Sequence, residues 1–451
     1  MDGDGEERVS AKRSSEEGDW ISNFPDSLII QILLNLPTKD VVKCSVLSTR
    51  WRNLWKNVPV LDLDIDDFPE QDSFVSFVDR FLGFNSDSCL ESFKLKYDHC
   101  QIVPLRRWIN TVVGQKVQNI DLLDDSFESW DFQMPPSLYT CESLVSLKLS
   151  GVTLPSLSPK FVSLPSLRVM DLTIVHFADE LALETLVSLC PVLERLAIER
   201  SFSDGVEVLR VCSQSLLSFT HVADCNDRLD EDLVVEIDAP RLEYKKLSDD
   251  RIASFVIKSP NSLVVACVDT TFNLDLRENF DANDVHKRNM IRDFLVAISC
   301  VRNMIIASDT LEVIYEYSRF EQVPLFNNLS FLRVQFTGYR WEMLPIFLAS
   351  CPNLKSLVVE SSGYPEKEGS RVISGPRCLL SSLEYVEIKR PLKGEAMEMK
   401  LVSYLLENSK ILKKVTLCMD GSGSRKKEES VIFKELLNIP RLSSSCQVLV
   451  L

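Results

Sequence analysis

Paired carboxylates, thiols and imidazoles are the usual raw material of an active site, and this chain arranges few of them in a usable way. Adjacent acids occur at Asp124-Asp125, Asp249-Asp250 and Asp230-Glu231-Asp232. General acid–base catalysis needs two such groups held in different environments across a reacting bond; neighbours in sequence read instead as turn and surface charge. The thirteen cysteines are scattered singly with no Cys-x-x-Cys pair, and His99, His176, His221 and His286 are not grouped with Cys or Asp at ligand spacing. The thiols are therefore expected to be reduced, small hydrophobes in an intracellular protein, with no metal and no cofactor. No G-x-S-x-G, Walker-type, G-x-G-x-x-G or H-E-x-x-H motif occurs, and Gly421-Ser422-Gly423-Ser424 lacks the lysine and the strand-to-helix context of a phosphate cradle. The expectation is a protein that is not an enzyme.

The residues that do stand out are apolar. Between Asp26 and Leu36, only Ser27, Gln31 and Asn35 interrupt Leu28, Ile29, Ile30, Ile32, Leu33, Leu34 and Leu36. Pro37 stops that helix, Thr38 is expected to cap a second one through Ser45, and Ser48 a third carrying Trp51, Leu54 and Trp55 at i, i+3, i+4. A stripe at 28, 32 and 36 serves one core face, and the rest needs another. About forty residues cannot enclose this much apolar surface alone, and patches of that size mark partner sites. Asp19 to Asp64 is thus either a small helical docking module or a helical cap buried against the rest of the chain.

In order, Ile21-Ser22-Asn23-Phe24-Pro25-Asp26, Ile32-Leu33, Leu36-Pro37-Thr38-Lys39, Ser45-Val46-Leu47-Ser48 and Arg50-Trp51-Arg52-Asn53-Leu54-Trp55 closely resemble the F-box, the module by which substrate adaptors bind a Skp-type subunit of cullin-based ubiquitin ligases. The chain departs from that pattern at Phe24, where Leu usually precedes the proline, and at Leu34-Asn35, where Ser is common before an aromatic.

Composition sets outer limits. With 451 residues, 45% hydrophobic and 26% charged, the chain has the balance of a soluble globular protein. Its apolar runs are far shorter than the roughly 18–20 residues that span a bilayer, and its polar N-terminus has no apolar signal region, so no membrane association is expected. The formal net charge is −16, and no basic stripe of the kind that binds nucleic acid is present. Arg425-Lys426-Lys427, flanked by Glu428-Glu429, reads as a solvated loop.

Beyond Asp64, the spacing predicts a helix through Phe74, Phe77, Val78 and Phe81, and then a repeat. L-x-x-L-x-L with apolar substitutions recurs at Leu90-Phe93-Leu95, Val117-Ile120-Leu122, Leu144-Leu147-Leu149, Leu193-Leu196-Ile198, Leu263-Ala266-Val268, Val301-Met304-Ile306, Leu329-Leu332-Val334, Leu354-Leu357-Val359, Leu383-Val386-Ile388 and Leu412-Val415-Leu417. Weaker copies lie near Leu167-Met170-Leu172, Leu216-Phe219 and Leu242. That is the period of leucine-rich repeats, in which one strand per coil points alternate residues inward and a return segment closes the coil. Return helices are expected at Asp179 to Leu189, Asp284 to Ser299 and Trp341 to Ala349. The Asn usual after the strand is generally missing, so the solenoid should be irregular. At the C-terminus the pattern predicts a strand (Leu383 to Ile388), a helix (Glu395 to Asn408), a strand (Leu412 to Leu417), a polar loop (Asp420 to Glu429), a helix (Val431 to Asn438) and a strand (Cys446 to Leu451), the cap that an open solenoid end requires.

That last segment also resembles the FBD domain of plant proteins, through Pro376-Arg377-Cys378-Leu379-Leu380, Ser382-Leu383, Val386-Glu387-Ile388, Gly394-Glu395, Tyr404-Leu405-Leu406-Glu407-Asn408 and Ile439-Pro440-Arg441-Leu442-Ser443. Arg390-Pro391-Leu392-Lys393 departs from its usual Gly-rich turn. The chain as a whole resembles the plant F-box/FBD/LRR family. The expected fold is α/β: a disordered tail over 1–18, a three-helix F-box over 19–64, a helical connector over 65–89, an irregular leucine-rich-repeat solenoid over 90–375 and an FBD cap over 376–451.

The resemblance implies a substrate-recognition adaptor of a Skp-cullin-F-box ubiquitin ligase, with a Skp-type subunit and, through it, a cullin as partners, a protein target, and a cytoplasmic or nuclear location. Docking would fall to Phe24, Pro25, Leu28, Ile32, Leu36, Val41, Leu47, Trp51, Leu54 and Trp55, some of which must hold the helices together instead. Strand alternation places candidate target contacts on the concave face: Glu194, Arg195 and Glu199 in one repeat, Arg333 and Gln335 in another, Lys355, Ser356 and Glu360 in a third. Two other readings keep the fold: a ubiquitin-independent protein-binding scaffold, and a small-molecule receptor whose repeats enclose a ligand.

Overall fold

Every L-x-x-L-x-L copy becomes one turn of a coil whose first apolar residue enters the strand and whose next two point from it into the core. The computed structural model describes residues 24–84, 90–97, 102–124, 132–156, 158, 162–179, 181–200, 206–223, 232–274, 280–281, 284–337, 341–362, 380–392, 396–419 and 434–451. Fifteen parallel strands form one sheet, from Val60–Asp64 at one edge to Gln447–Val450 at the other, stacked in chain order. In-register pairing aligns Leu61, Phe93, Ile120, Leu147, Met170, Leu196 and Phe219 as one buried rung. The rung continues through Met304, Leu332, Leu357, Val386 and Val415. One position is not apolar: Lys245, between Phe219 and Ala266. No single coil could bury its inward residues; stacked neighbours make the core continuous.

The return side is mixed. Helices Gln71–Phe84, Ile102–Gly114, Ala182–Ser188, Val285–Ile298, Ser308–Ser318, Leu344–Ala349 and Ala396–Asn408 back the sheet. Ile291, Phe294, Leu295 and Ile298 of Val285–Ile298 are all buried. Between these helices, the coils return by strands instead. Thr153–Leu154 pairs with His176–Phe177, and Val208–Cys212, Leu233–Asp238 and Ile252–Ile257 form a three-stranded parallel sheet. Composition separates the two kinds: 26 residues separate Phe219 from Lys245 with a β-branched strand return, and 26 separate Met170 from Leu196 with the helix Ala182–Ser188 between them. Where 38 residues separate Ala266 from Met304, a helix of 14 residues fits.

At the N-terminal end, α1 (Asp26–Leu33) and α2 (Thr38–Lys43) precede two 3-10 turns, Cys44–Val46 and Trp51–Asn57. α1 ends at Leu33, short of the expected Leu36. Thr38 does not cap α2: Pro37 takes that place, and the buried Thr38 hydroxyl accepts a hydrogen bond from the Asp62 amide at 2.8 Å. The module is thereby fastened to the first strand of the sheet. Nor does Ser48 take the cap position of the third element, which Arg50 occupies; from two residues further back, its hydroxyl accepts from the Trp51 amide at 3.4 Å.

The tail over 1–18, Ile21-Ser22-Asn23, Pro376-Arg377-Cys378-Leu379, Gly394-Glu395 and the loop Asp420 to Glu429 with its Gly-Ser run and basic cluster lie outside the described residues; of the helix expected from Val431, 434–438 is described and helical. Among the described residues, no helix is long and apolar enough to cross a membrane.

Candidate functional site

α1 carries two apolar stripes because its sequence is apolar on every side. Ile29 and Leu33, four apart, turn inward and join Val41, Trp51, Leu54 and Val58 in a small core of their own. Leu28 and Ile32, one residue out of phase, point away at 44% and 45% exposure. Phe24, Pro25, Leu36 and Leu47 are also exposed, Leu47 at 67%. Of the ten residues named for docking, then, six lie on the surface, three (Val41, Trp51, Leu54) fill the module's interior, and Trp55 is half-buried. Sequence reasoning missed Leu34 and Val46, which are exposed on the same module, Val46 at 85%. In an unbroken apolar run, period alone does not assign the inner face; the neighbouring helices do.

Trp55 joins the module to the sheet. Its ring stacks on Phe77 (6.2 Å, 23° between planes), lies 6.2 Å from Phe81 and meets Phe84 edge-on at 6.0 Å, all on α3 (Gln71–Phe84). The indole N–H donates to the Arg52 carbonyl at 3.0 Å, and the Lys56 ammonium sits 4.5 Å above the Phe84 ring. Arg50 clamps the start of α1, donating through Nη2 to Asp26 Oδ1 at 2.6 Å and to the Phe24 carbonyl. Lys39 reaches Asp67 beyond the first strand.

The residues named for target contact fall in two places. Arg195 and Glu199 are exposed on strand Arg195–Arg200, while Glu194 precedes it and accepts an ion pair from Arg168. Arg333, Gln335 and Glu360 come together five strands further along: Glu360 receives Lys389 Nζ at 3.1 Å, Arg333 Nε at 3.6 Å and Gln335 Nε2 at 3.4 Å. Burial alone would raise the Glu360 carboxyl, but these cations and donors hold it below its ordinary value. Ser356 opens the next strand, and the Lys355 carbonyl just before it pairs with the amides of Glu384 and Tyr385. Adjacent strands are about 4.8 Å apart, so the two groups lie too far apart to touch one side chain.

One buried polar cluster interrupts the core. His221 Nε2 and Asp249 Oδ2 are 2.9 Å apart, and Arg251 donates to the same carboxylate through Nε and Nη2, both at 3.1 Å. Complete burial pulls His221 below its ordinary value, so the neutral ring donates through Nε2. Burial opposes ionisation of Asp249, but hydrogen bonds from His221 and Arg251 outweigh it and hold the carboxyl well down. These groups neutralise one another away from solvent. Among the described residues, no group of three His, Cys, Asp or Glu is placed to hold a metal ion.

Comparison with known proteins joins these parts. An F-box domain model matches residues 21–63, a model described as "FBD-associated F-box protein At5g56370, LRR repeats" matches 105–269, and an FBD model matches 372–417. F-box/LRR-repeat protein 13 of Arabidopsis thaliana is 64% identical over 457 residues, with the whole of both chains covered. The chain belongs to the plant F-box/FBD/LRR-repeat family. Other Arabidopsis members, F-box/FBD/LRR-repeat protein At1g78750 and FBD-associated F-box protein At4g13985, are 63% and 54% identical, again over the whole of both chains. The F-box/FBD/LRR-repeat family is one of adaptors, not catalysts. In this member, the F-box match takes in the docking module and most of strand Val60–Asp64, and the FBD match takes in Tyr385–Leu392 and Ala396–Asn408 and runs into Lys414–Met419. Both ends are therefore built into the same continuous sheet as the repeats.

Proposed function

We propose that the protein is the substrate-recognition adaptor of a Skp-cullin-F-box ubiquitin ligase acting in the cytoplasm or nucleus. Its division of labour follows 19–64 for docking, 90–375 for the target and 376–451 as the closing cap, with 65–89 as connector. The observation that carries the reading is the outward stripe of Leu28 and Ile32, flanked by Phe24, Pro25, Leu36 and Leu47, on a module whose own core is already filled. Val41, Trp51 and Leu54 support that surface from beneath, and Trp55 fixes its orientation. Docked on a Skp-type subunit, and through it a cullin, the adaptor would hold a bound target beside the ubiquitin carrier. The target's lysines then meet the carrier at an effective concentration far above that in solution. The chain itself supplies position, not bond-making.

Co-expression with a Skp-type subunit and a cullin tests this. The wild-type chain is expected to co-purify with both, and the double variant Leu28→Ala/Ile32→Ala to lose both with an unchanged melting temperature, since neither side chain belongs to the core. Truncating two central apolar anchors typically costs about 2 kcal/mol each in binding. Full retention of the complex by that variant, or a folded wild type that captures neither subunit, would sink the proposal.

A further inference from the structure

The sheet face turned away from the core changes character along its length. On its middle rung Asp62, Lys94, Asp121, Lys148 and Asp171 follow one another across five neighbouring strands. Each charge therefore has opposite charges beside it; Lys94 meets Asp62 at 3.6 Å, and on the next rung Lys96 meets Asp64 at 3.5 Å and Asp66 at 2.7 Å. That half satisfies itself. Past Asp171 the same rung reads Ala197, Thr220, Lys246, Cys267, Ile305 and Arg333, and the rung beside it reads Tyr244, Val265, Asn303, Phe331, Ser356 and Tyr385. The strict alternation of charge has given way to apolar and aromatic side chains interspersed with Thr220, Asn303, Ser356 and the cations Lys246 and Arg333, the latter turned to Glu360.

At the C-terminal ends of these later strands lies a cleft of about 570 Å³ whose charged lining is Asp269, Asp309, Glu360 and Lys389. Lys389 and Glu360 are committed to each other. Asp269 accepts a hydrogen bond from Ser248 Oγ at 3.2 Å and Asp309 one from Ser308 Oγ at 3.0 Å, and among the described residues neither carboxylate has an ion-pair partner. Partial desolvation, opposed by the Ser248 hydrogen bond and by the nearby charge of Lys246 but helped by the like charge of Asp309, raises the Asp269 carboxyl above its ordinary value. A cation delivered from outside would relieve both effects. An anionic ligand would find only a lysine already paired.

We infer that the target docks on this half of the strand face, as an extended cationic segment whose Lys or Arg enters the cleft between Asp269 and Asp309 while adjacent apolar side chains lie on Val265, Ile305 and Phe331. The inference rests on the adaptor reading for the word target, but the surface is tested without it. A random-peptide phage library is panned against the full chain, and the enriched peptides are resynthesised for fluorescence anisotropy. Enrichment of Lys or Arg next to aliphatic or aromatic residues is expected, with binding weakened by raised ionic strength and by at least ~10-fold in Asp269→Asn/Asp309→Asn. Asp62→Asn/Asp121→Asn, which removes the same charge from the self-paired half, should leave binding unchanged. Melting of each variant checks its fold; should the Asp269/Asp309 pair prove essential for folding, the ionic-strength response of the wild type decides. Enrichment of nothing, of acidic or of uncharged peptides, or equal sensitivity to both pairs of substitutions, overturns the inference. Leu28→Ala/Ile32→Ala separates the two ideas: it should abolish capture of the Skp-type subunit and leave peptide binding intact, so either result can fail alone.

Discussion

Lys245 occupies a core rung position that other strands fill with Leu, Ile, Val, Phe, Met or Ala. Its ammonium nitrogen sits 3.4 Å from the Phe255 ring centroid and 5.1 Å from that of Phe294, with no hydrogen-bond partner among the described residues. Burial drives its pKa well below the usual lysine value of 10.5. Between that lowered value and 10.5 the unfolded chain binds more protons than the folded chain, so stability climbs as pH rises through this window. Lys245→Met removes the cost of burying the amine, and the ring contacts offset little of it, because the cation–π attraction belongs to the charged form that burial disfavours. It should raise stability by on the order of 1–2 kcal/mol near neutral pH, and urea titrations at pH 7 and pH 9 should differ less than for the wild type. A lower midpoint in the variant would show that the amine contributes more than burial costs. The sequence half-shows this: Leu242-Lys245-Leu247 keeps the repeat spacing, which places Lys245 inward, but the copy reads as weak because a lysine stands where the repeat has an apolar residue. The docking list mixed surface with interior for a different reason: along Leu28 to Leu36 every phase is apolar, and only the packing of α2 and the turn at Trp51 against α1 assigns Ile29 and Leu33 to the core.

At the scale of elements, the strands were readable and their returns were not. Two inward residues per strand at a fixed spacing make a signal that survives substitution by Val, Ile or Met. The returns obey no such rule. Ile102–Gly114 has Leu105, Trp108, Ile109 and Val112 buried at helical spacing, yet Pro104 obscures it, although proline is tolerated in a first turn. Strand returns such as Val208–Cys212 are short, β-branched segments that pair with the equivalent segments of the next coils, so the neighbours settle them as much as the segment does. The apolar outward positions of the later strands did leave a trace: Val264-Val265-Ala266-Cys267-Val268 and Leu357-Val358-Val359 run continuously apolar where a half-exposed strand alternates. At the junction of module and sheet, Trp55→Ala should cost about 2 kcal/mol, less than a fully buried Trp because the ring is half-buried. It should also raise hydrogen exchange across α1 and α2 more than across the strands beyond Lys94. Uniform exchange along the chain would mean that the aromatic cluster is not what couples the two.

For the whole molecule, stacked coils make stability local, because each contacts only its neighbours. Truncation after Asn408 removes strands Lys414–Met419 and Gln447–Val450 and uncovers Val386 and Ile388. It should lower the melting temperature and promote aggregation, while the surviving folded fraction still captures the Skp-type subunit through the opposite end; loss of capture in that fraction would mean that the cap acts on the docking module at long range. Strand Val60–Asp64 belongs to both the docking module and the sheet, and eight strand-to-strand steps separate it from Val265–Asp269 beside the cleft. At about 4.8 Å a step, that is a rack of toothed spacings roughly 40 Å long. Its reach changes only by whole teeth: a relative that gains or loses one coil shifts its cargo by a fixed increment, with no intermediate setting for a point substitution to select.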